Sequence, residues 1–522
     1  MMIQRLLWPL FVCVASASVA RGDVRLPAIF SDHMVVQAGA AVPVWGWAEP
    51  GEEVSVSLGE QTRQAHAAAD GRWSMRLDKL APAAEPQTLT ARGRNTITVH
   101  DVLVGEVWLC SGQSNMEMQL RGLHGEVDRA DEEIAAADYP QIRLFVHGET
   151  YDIYAVDAPP PKPLADRPGQ WIVCSPPTAA AFTAIGYFFA REVHQSLNVP
   201  VGIVCAAVGG TPIEAWTSLE SQQAQSTLAP LLDDWRAKLA SYDPAAEAQN
   251  YNAAKLRWLK ERAAARSAGR PDPKAPPPFK NLAVMAPGGL SNALIAPLAP
   301  YAVRGVLWYQ GERNAAGPFT TLYGKQLTTL IDDWRMRWHD ELYFAWVQLP
   351  RLQKAQRLPS EPNGWGVAVR EGMRQTLALP RTGMAITIDL GGPTDGHPTN
   401  KAEYAHRLAL LALHDVYHQP IAEWSGPLFR SAERDGDTMV LTFDHADGLR
   451  AASGALKGFA IASDDQKFVW AEARIDGPRV IVSSKKVQRP AAVRYGWAAN
   501  PDCNLINSAG LPASPFRTDD RE

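Results

Sequence analysis

Five short apolar segments, separated by helical patterns, constrain the fold of this chain more than any other feature. They are nearly continuous in apolar residues: Val102–Leu109, Val201–Ala206, Val303–Tyr309, Leu342–Val347 and Met384–Ile388. Such runs are typical of parallel strands that helices cover on both faces. Apolar residues at helical spacing follow between them, as at Leu327, Leu330 and Trp334. The sequence therefore predicts a doubly wound, parallel α/β sheet within residues 101–420, with a charged helical insertion at about 218–269.

Segments with the alternating pattern of half-buried strands flank this α/β region on both sides. Before it, Val54, Val56 and Leu58 alternate with polar residues, and after it the same pattern returns beyond the turn at Asp435-Gly436. We therefore expect a β-sandwich segment over residues 23–100 and another over residues 421–522. The pattern leaves open whether the two segments form separate sandwiches or share sheets.

The first 22 residues have the pattern of an export signal. Arg5 precedes the apolar run Leu6–Ala15, and small residues at Ser18-Val19-Ala20 form a cleavage candidate. The run is too short to span a bilayer, and no later stretch reaches about 18 apolar residues. We expect a secreted or periplasmic protein with no membrane partner.

Charge and metal-ligand patterns argue against several classes of partner. A net charge of −5 gives no electrostatic footprint for nucleic acid. His414 and His418 are four residues apart on a predicted helix, but no third ligand is evident, so we expect no metal and no cofactor. Four cysteines follow the export signal and match no zinc or redox spacing; the sequence does not fix their pairing.

The residues that follow the apolar strands carry the parts of an acyl-transfer site. In open α/β sheets, ligands bind beyond the carboxyl ends of the strands. A hydroxyl at Ser114, a glycine pair ending at Gly210, an amide at Asn314 and an imidazole at His397 each follow a separate strand. They match a nucleophile, two kinds of hydrogen-bond donor and a base. A structural alternative exists, since Ser114 with Glu117 also fits a helix capping box.

Two aspartates are candidates for the acid that orients His397. Asp395 lies two residues before the histidine and could act as the third member of a triad. Asp389, at the end of the preceding strand, is the second candidate.

Several longer segments resemble one known family. The run Val107–Met116 is similar to the first block of the sialate O-acetylesterase-like family of Ser-Gly-Asn-His (SGNH) hydrolases. Further segments resemble other parts of the family: Phe30–Gln37, Pro43–Trp47, Gly209–Trp216, Trp308–Glu312, His397–Lys401 and Asn504–Thr518. The resemblance covers nearly all of the chain after the export signal. Two positions depart from it, since Arg313 stands where members often have Ser, and Gly396 where they often have Ile.

This resemblance implies a flavodoxin-like sheet and a serine esterase that removes O-acetyl groups from carbohydrates. Ser114 would be the nucleophile and His397 the base, with the N–H groups of Ser114 and Gly210 and the Asn314 side chain forming the oxyanion hole. Four neighbouring side chains are expected to bind the substrate: Gln113, Gln310, Glu312 and Arg313. The substrate would be acetylated sialic acid or an acetylated plant-wall polysaccharide such as xylan or xyloglucan. The 17 tryptophans leave an alternative, a catalytically inactive secreted carbohydrate-binding protein.

Overall fold

The computed structural model describes residues 23–147, 163–273, 276 and 282–519, so the predicted export signal lies outside the described residues. The first strands are β1 Val35–Gln37, β2 Val42–Trp47, β3 Glu53–Leu58, β4 Gln61–His66, β5 Arg72–Leu77, β6 Ala83–Arg92 and β7 Thr96–Gly112. β2 pairs with β5, while β1 and β6 pair with β7, and β3 joins β4 to β6. β7 continues into the central sheet. The expected division between residues 100 and 101 therefore lies inside one strand.

A mostly parallel sheet forms the centre of the molecule. The strands that follow β7 are β8 Arg121–Gly122, β9 Gly125–Glu126, β10 Tyr139–His147, β11 Gly169–Cys174, β12 Val201–Ala207, β13 Gly305–Tyr309, β14 Tyr343–Val347, β15 Arg351–Leu352, β16 Thr382–Ala385 and β17 Gly391–Gly392. The central order is β11-β10-β12-β7-β13-β14-β16, and every neighbouring pair is parallel except β10 with β11. Strands form in all five segments predicted from apolar runs, whereas β10 and β11 were not predicted.

The five strands predicted from apolar runs lie in the flavodoxin-like order expected from the resemblance. Numbered along the chain as β7, β12, β13, β14 and β16, they lie in the order 2-1-3-4-5, which is the flavodoxin order. β10 and β11 extend this sheet at the edge beyond β12. β12 and β13 therefore flank β7, and the loops after all three strands meet at one edge.

Helices cover both faces of the central sheet. They are α1 Ser114–Glu117, α2 Ala130–Ala135, α3 Pro176–Ala179, α4 Ala184–Leu197, α5 Leu219–Gln223, α6 Ala229–Ala240, α7 Pro244–Ser267, α8 Leu282–Met285, α9 Glu312–Ala315, α10 Tyr323–Trp338, α11 Val367–Thr376 and α12 Lys401–Asp415. Trp108 of β7 packs against Phe189 of α4, whereas Trp308 of β13 packs against Trp334 of α10. Trp308 is in register with Ser111, three residues beyond Trp108, so the two tryptophans lie on opposite faces.

The C-terminal strands form two four-stranded antiparallel sheets and a separate two-stranded pair, with a hydrophobic cluster of their own. They are β18 Leu428–Asp435, β19 Thr438–Asp444, β20 Arg450–Ala451, β21 Phe459–Ala462, β22 Val469–Trp470, β23 Glu472–Asp476, β24 Arg479–Ser483, β25 Ala492–Tyr495, β26 Leu505–Ile506 and β27 Phe516–Arg517. The two larger sheets have the orders β18-β19-β24-β23 and β22-β21-β25-β27, and β20 pairs with β26. Met439, Leu441 and Phe443 of β19 belong to that cluster. The N-terminal strands instead share one cluster with the central sheet.

One buried arginine on α11 connects the central sheet to the C-terminal strands. Arg370, 1% exposed, donates hydrogen bonds to the carbonyl oxygens of Leu349, Pro350, Ala498 and Ala499, at 2.7–2.9 Å. Burial lowers the pKa of its guanidinium to about 10. These four bonds fix the segment after β14 against the C-terminal strands.

Two further observations concern the described ranges as a whole. None of their helices combines the length and apolar character needed to cross a bilayer. The four cysteines that follow the predicted export signal are free thiols: Cys110, Cys174, Cys205 and Cys503.

Candidate active site

The side chains of Ser114 and His397 meet at the carboxyl edge of the central sheet. Ser114 Oγ lies 2.8 Å from His397 Nε2, although 283 positions separate the two residues. Ser114 is the first residue of α1, directly beyond β7, and His397 lies in the loop that precedes α12. Gln113, not Ser114, occupies the cap position of α1. The capping-box alternative is therefore not what the structure shows.

A second histidine covers one face of the His397 ring. The ring of His124 stacks on it with centroids 5.1 Å apart, and His124 Nε2 lies 2.8 Å from a carboxylate oxygen of Glu117. Burial lowers the pKa of His397, and the nearby His124 and Lys401 lower it further, against the charge of Asp395. A neutral imidazole at neutral pH can accept the proton of a serine hydroxyl.

Neither candidate acid is bonded to the imidazole. Asp395 is exposed, and within the described residues no hydrogen bond joins it to His397. Asp389 instead forms an ion pair with Arg407 of α12, with nitrogen–oxygen distances of 2.6 and 2.8 Å. The structure thus brings the nucleophile and base together without placing a carboxylate on the base.

Backbone N–H groups lie close to the nucleophile turn. A Cβ at Gly112 would lie 2.1 Å from the carbonyl oxygen of Tyr309, so only glycine allows β7 and β13 to end this close together. Val208 N donates to Gly112 O at 3.1 Å, and Gly209 N donates to the Glu117 carboxylate at 2.8 Å. In the described part of the chain, no hydrogen bond uses the N–H of Ser114 or of Gly210. Both are free to donate to an oxyanion.

The Asn314 side chain forms hydrogen bonds with three other residues. Its NH₂ group donates to Glu214 Oε2 at 3.0 Å, while its Oδ1 accepts from Ile213 N and from Gln310 Nε2. It lines a neighbouring cavity together with Arg313. Only one N–H of the amide is used in these bonds, so the role of Asn314 in the oxyanion hole stays a prediction.

A cavity of about 220 Å³ opens directly over the nucleophile and the base. It is lined by Gln113, Ser114, Asn115, Glu312, Pro350, Leu352, Trp365, Asp395, Gly396 and His397. Two of the side chains expected to bind substrate, Gln113 and Glu312, are among them. Gln310 is fully buried behind the cavity and donates to Gln113 Oε1 at 3.2 Å, and Arg313 faces the neighbouring cavity.

Sequence reasoning missed one wall of this cavity and the histidine that stacks on His397. Trp365 forms an apolar wall with Pro350 and Leu352. No strand precedes Trp365 directly, so the rule that led to Ser114 and His397 did not reach it. His124 was missed because it lies on the tight turn between β8 and β9.

Metal binding has no visible basis in the described ranges. Within them, no three His, Cys, Asp or Glu side chains are grouped so that they could hold a metal ion. His414, one member of the histidine pair considered above, contacts the Asp415 carboxylate at 2.8 Å.

Comparisons with known proteins agree on one family. A family model described as carbohydrate esterase, sialic acid-specific acetylesterase, matches residues 104–241. The sialate O-acetylesterases of Rattus norvegicus and Homo sapiens are each 27% identical, aligned over 97% and 94% of this chain and over 97% and 92% of their own lengths. A crystal structure of a novel carbohydrate acetylesterase from Xanthomonas citri is 37% identical, covers 95% of this chain and 100% of its own, and has a TM-score of 0.77. The chain therefore belongs to the sialate O-acetylesterase-like family of carbohydrate esterases, and it is an esterase.

Proposed function

We propose that this protein is an exported hydrolase of the SGNH type that removes O-acetyl groups from carbohydrates through an acetyl-serine intermediate on Ser114. The observation that carries the proposal is the 2.8 Å contact between Ser114 Oγ and His397 Nε2. Export rests on the apolar run and cleavage candidates in residues 1–22.

The proposed reaction has two steps, each with its proton assigned. His397 Nε2 accepts the Ser114 proton while Oγ bonds to the acetyl carbonyl carbon, and the N–H groups of Ser114 and Gly210 receive the oxyanion. The ester C–O bond then breaks, and His397 returns the proton to the sugar oxygen. A water, deprotonated by His397, attacks the acetyl-enzyme, and the second collapse releases acetate and restores the hydroxyl. The Asn314 amide has a second N–H besides the one that donates to Glu214, and this second N–H is the proposed third donor to the oxyanion.

The charges around the cavity favour a neutral acetylated sugar over an acetylated sialic acid. Glu312 and Asp395 line the cavity, and its described lining includes no arginine or lysine. Arg304 pairs with Glu106 at 2.6 Å, and Arg313 faces the neighbouring cavity. Burial raises the pKa of Glu312, which favours its neutral form. A sialic acid carboxylate would still meet the Asp395 side chain without a cation in this lining to pair with. Trp365 offers a flat apolar surface for a pyranose ring.

Two variants test the nucleophile. Ser114→Ala should abolish hydrolysis of 4-nitrophenyl acetate and leave the Tm nearly unchanged. Ser111→Ala is the matched control, because Ser111 is a nearby buried hydroxyl that donates to Ala206 O at 2.6 Å and should be dispensable for turnover. Full activity in Ser114→Ala would remove Ser114 from the mechanism.

Acetate release tests the substrate class. The wild-type protein should release acetate faster from acetylated xylan or xyloglucan oligosaccharides than from O-acetylated sialic acid at equal concentration. Faster release from sialic acid would overturn the electrostatic argument. Binding of these oligosaccharides without any acetate release would instead favour the inactive carbohydrate-binding protein.

A further inference from the structure

Two buried polar side chains hold the loop that carries His397 on both sides of that residue. Asn115 Nδ2 donates to the carbonyl oxygen of Gly396 at 3.1 Å, and Lys401 Nζ donates to the carbonyl oxygen of Pro398 at 2.6 Å. Lys401 Nζ also donates to Asn115 Oδ1 at 2.8 Å. The two carbonyls that flank the base are thus fixed by two side chains that are bonded to each other.

This pair is buried although the loop that it holds is exposed. Asn115 is 1% and Lys401 0% exposed, whereas residues 393–396 are exposed. The second N–H of the Asn115 amide donates to Glu312 Oε1 at 2.6 Å, so the amide uses both of its donors. Burial lowers the pKa of Lys401 to about 7. Apolar side chains would fill such a site without this desolvation cost, so packing alone gives no reason for a buried lysine.

We propose that Asn115 and Lys401 are positioning residues that fix the His397 imidazole relative to Ser114. The inference rests on the proposed function and deepens it. Because Asn115 directly follows Ser114, one side chain connects the backbone of the nucleophile to the backbone of the base. This connection supplies the orientation that no carboxylate provides here, since neither Asp395 nor Asp389 is bonded to the imidazole. It also restrains a loop in which Gly396 has greater backbone freedom than other residues.

Kinetics of an Asn115→Ala variant give the first test. A loose loop misplaces the base in the transition state, so kcat for 4-nitrophenyl acetate should fall about 10- to 100-fold while KM changes less than about 3-fold. Asn115→Asp is a second variant in case the alanine form does not fold. It retains an acceptor for Lys401 but has no N–H for Gly396 O, so the same loss of kcat is expected.

A thiol in place of the nucleophile measures the geometry without turnover. In a Ser114→Cys background, an imidazole at hydrogen-bond distance should lower the thiol pKa below its ordinary value of about 8.5. Adding Asn115→Ala should raise that pKa again, read from the pH dependence of iodoacetamide alkylation at position 114 by mass spectrometry. The charged groups acting on the imidazole remain in place: His124, Lys401 and Asp395. Burial raises the pKa of the Cys174, Cys205 and Cys503 thiols to about 12, which keeps their alkylation slow.

Asp333→Asn is the control for a loss of buried hydrogen bonds elsewhere. Asp333 is 4% exposed and accepts hydrogen bonds from Ser218 and Ser221, away from the cavity. This variant should lower the Tm without changing kcat, and in the Ser114→Cys background it should not change the thiol pKa. Unchanged kcat and thiol pKa in the Asn115 variants, with Ser114→Ala inactive, would overturn the positioning role alone. Activity in Ser114→Ala would overturn the proposed function itself.

Discussion

The imidazole of His124 lies almost parallel to that of His397, with the ring planes 17° apart and the centroids separated by 5.1 Å. Glu117 holds His124 in that position and also accepts from the backbone N–H of Gly209. One carboxylate therefore supports both a cover for the base and the glycine turn next to the nucleophile. The electrostatic consequences of this arrangement can be measured.

The pH dependence of wild-type kcat/KM should have its acid limb below pH 6.5. His397 must be unprotonated to act as a base. Burial lowers its pKa from an ordinary value of about 6.5, and the nearby His124 and Lys401 lower it further. Lowering the pKa keeps the active form populated as pH falls. Initial rates of 4-nitrophenyl acetate hydrolysis between pH 4.5 and 8 would check this, and a midpoint above 6.5 would contradict it.

Replacing His124 by phenylalanine should move that acid limb to higher pH. His124→Phe retains a flat ring over His397 but removes a group whose charge lowers the pKa of His397. His124→Ala should show the same shift and also a lower plateau of kcat, because the ring cover is lost. Equal plateaus in both variants would show that the stack does not position the base.

Asp395→Asn should move the acid limb to lower pH and reduce kcat at pH 8 by less than about 10-fold. The charge of Asp395 raises the pKa of His397, but no hydrogen bond joins Asp395 to the imidazole in the described residues. Removal of a true triad acid lowers kcat by about 10⁴-fold. A loss of that size would identify Asp395 as the orienting acid after a loop rearrangement. Asp389→Asn should instead lower the Tm, because Asp389 pairs with the buried Arg407.

Trp365→Ala should separate sugar binding from ester chemistry. The indole lines the cavity beside the nucleophile but contributes no group to the proposed proton transfers. We expect KM for an acetylated oligosaccharide to rise about 10-fold or more, from the loss of a large apolar contact, with little change for 4-nitrophenyl acetate. Trp365→Phe should restore part of the oligosaccharide affinity. Equal effects on both substrates would place Trp365 in the support of the catalytic pair.

Five of the central strands could be predicted because each lies in a short, nearly continuous apolar run. β10 was not predicted because Pro140 and Arg143 interrupt its apolar pattern. Arg143 is buried and pairs with Asp101 at 2.9 Å. The order of the five predicted strands followed from the family resemblance and not from these apolar runs. Pairing of β12 with β7 is a tertiary contact between segments about 95 residues apart, and no local pattern records it.

Ser114 and His397 were accessible from the sequence because each directly follows an apolar strand or its short loop. Residues that act through contacts between distant elements were not accessible from the sequence. Asn115 and Lys401 are 286 positions apart, and nothing in either neighbourhood indicates their hydrogen bond. The location of Asn314 beyond β13 suggested an oxyanion donor, and this role stays a prediction, since Glu214 accepts from only one of the two amide N–H groups.

The four carbonyl contacts of Arg370 have a practical consequence for anyone who wishes to shorten this enzyme. Pro350 and Leu352 line the cavity, and both depend on residues near the C-terminus: Arg370 bridges Pro350 to Ala499, and Leu352 N donates to Ala499 O. Trimming the chain after α12 would remove two of the four carbonyl partners of this buried guanidinium, those of Ala498 and Ala499, and leave one side of the cavity unsupported. A minimal catalytic fragment of this esterase must therefore retain its C-terminal strands, even though they contribute no residue to the chemistry.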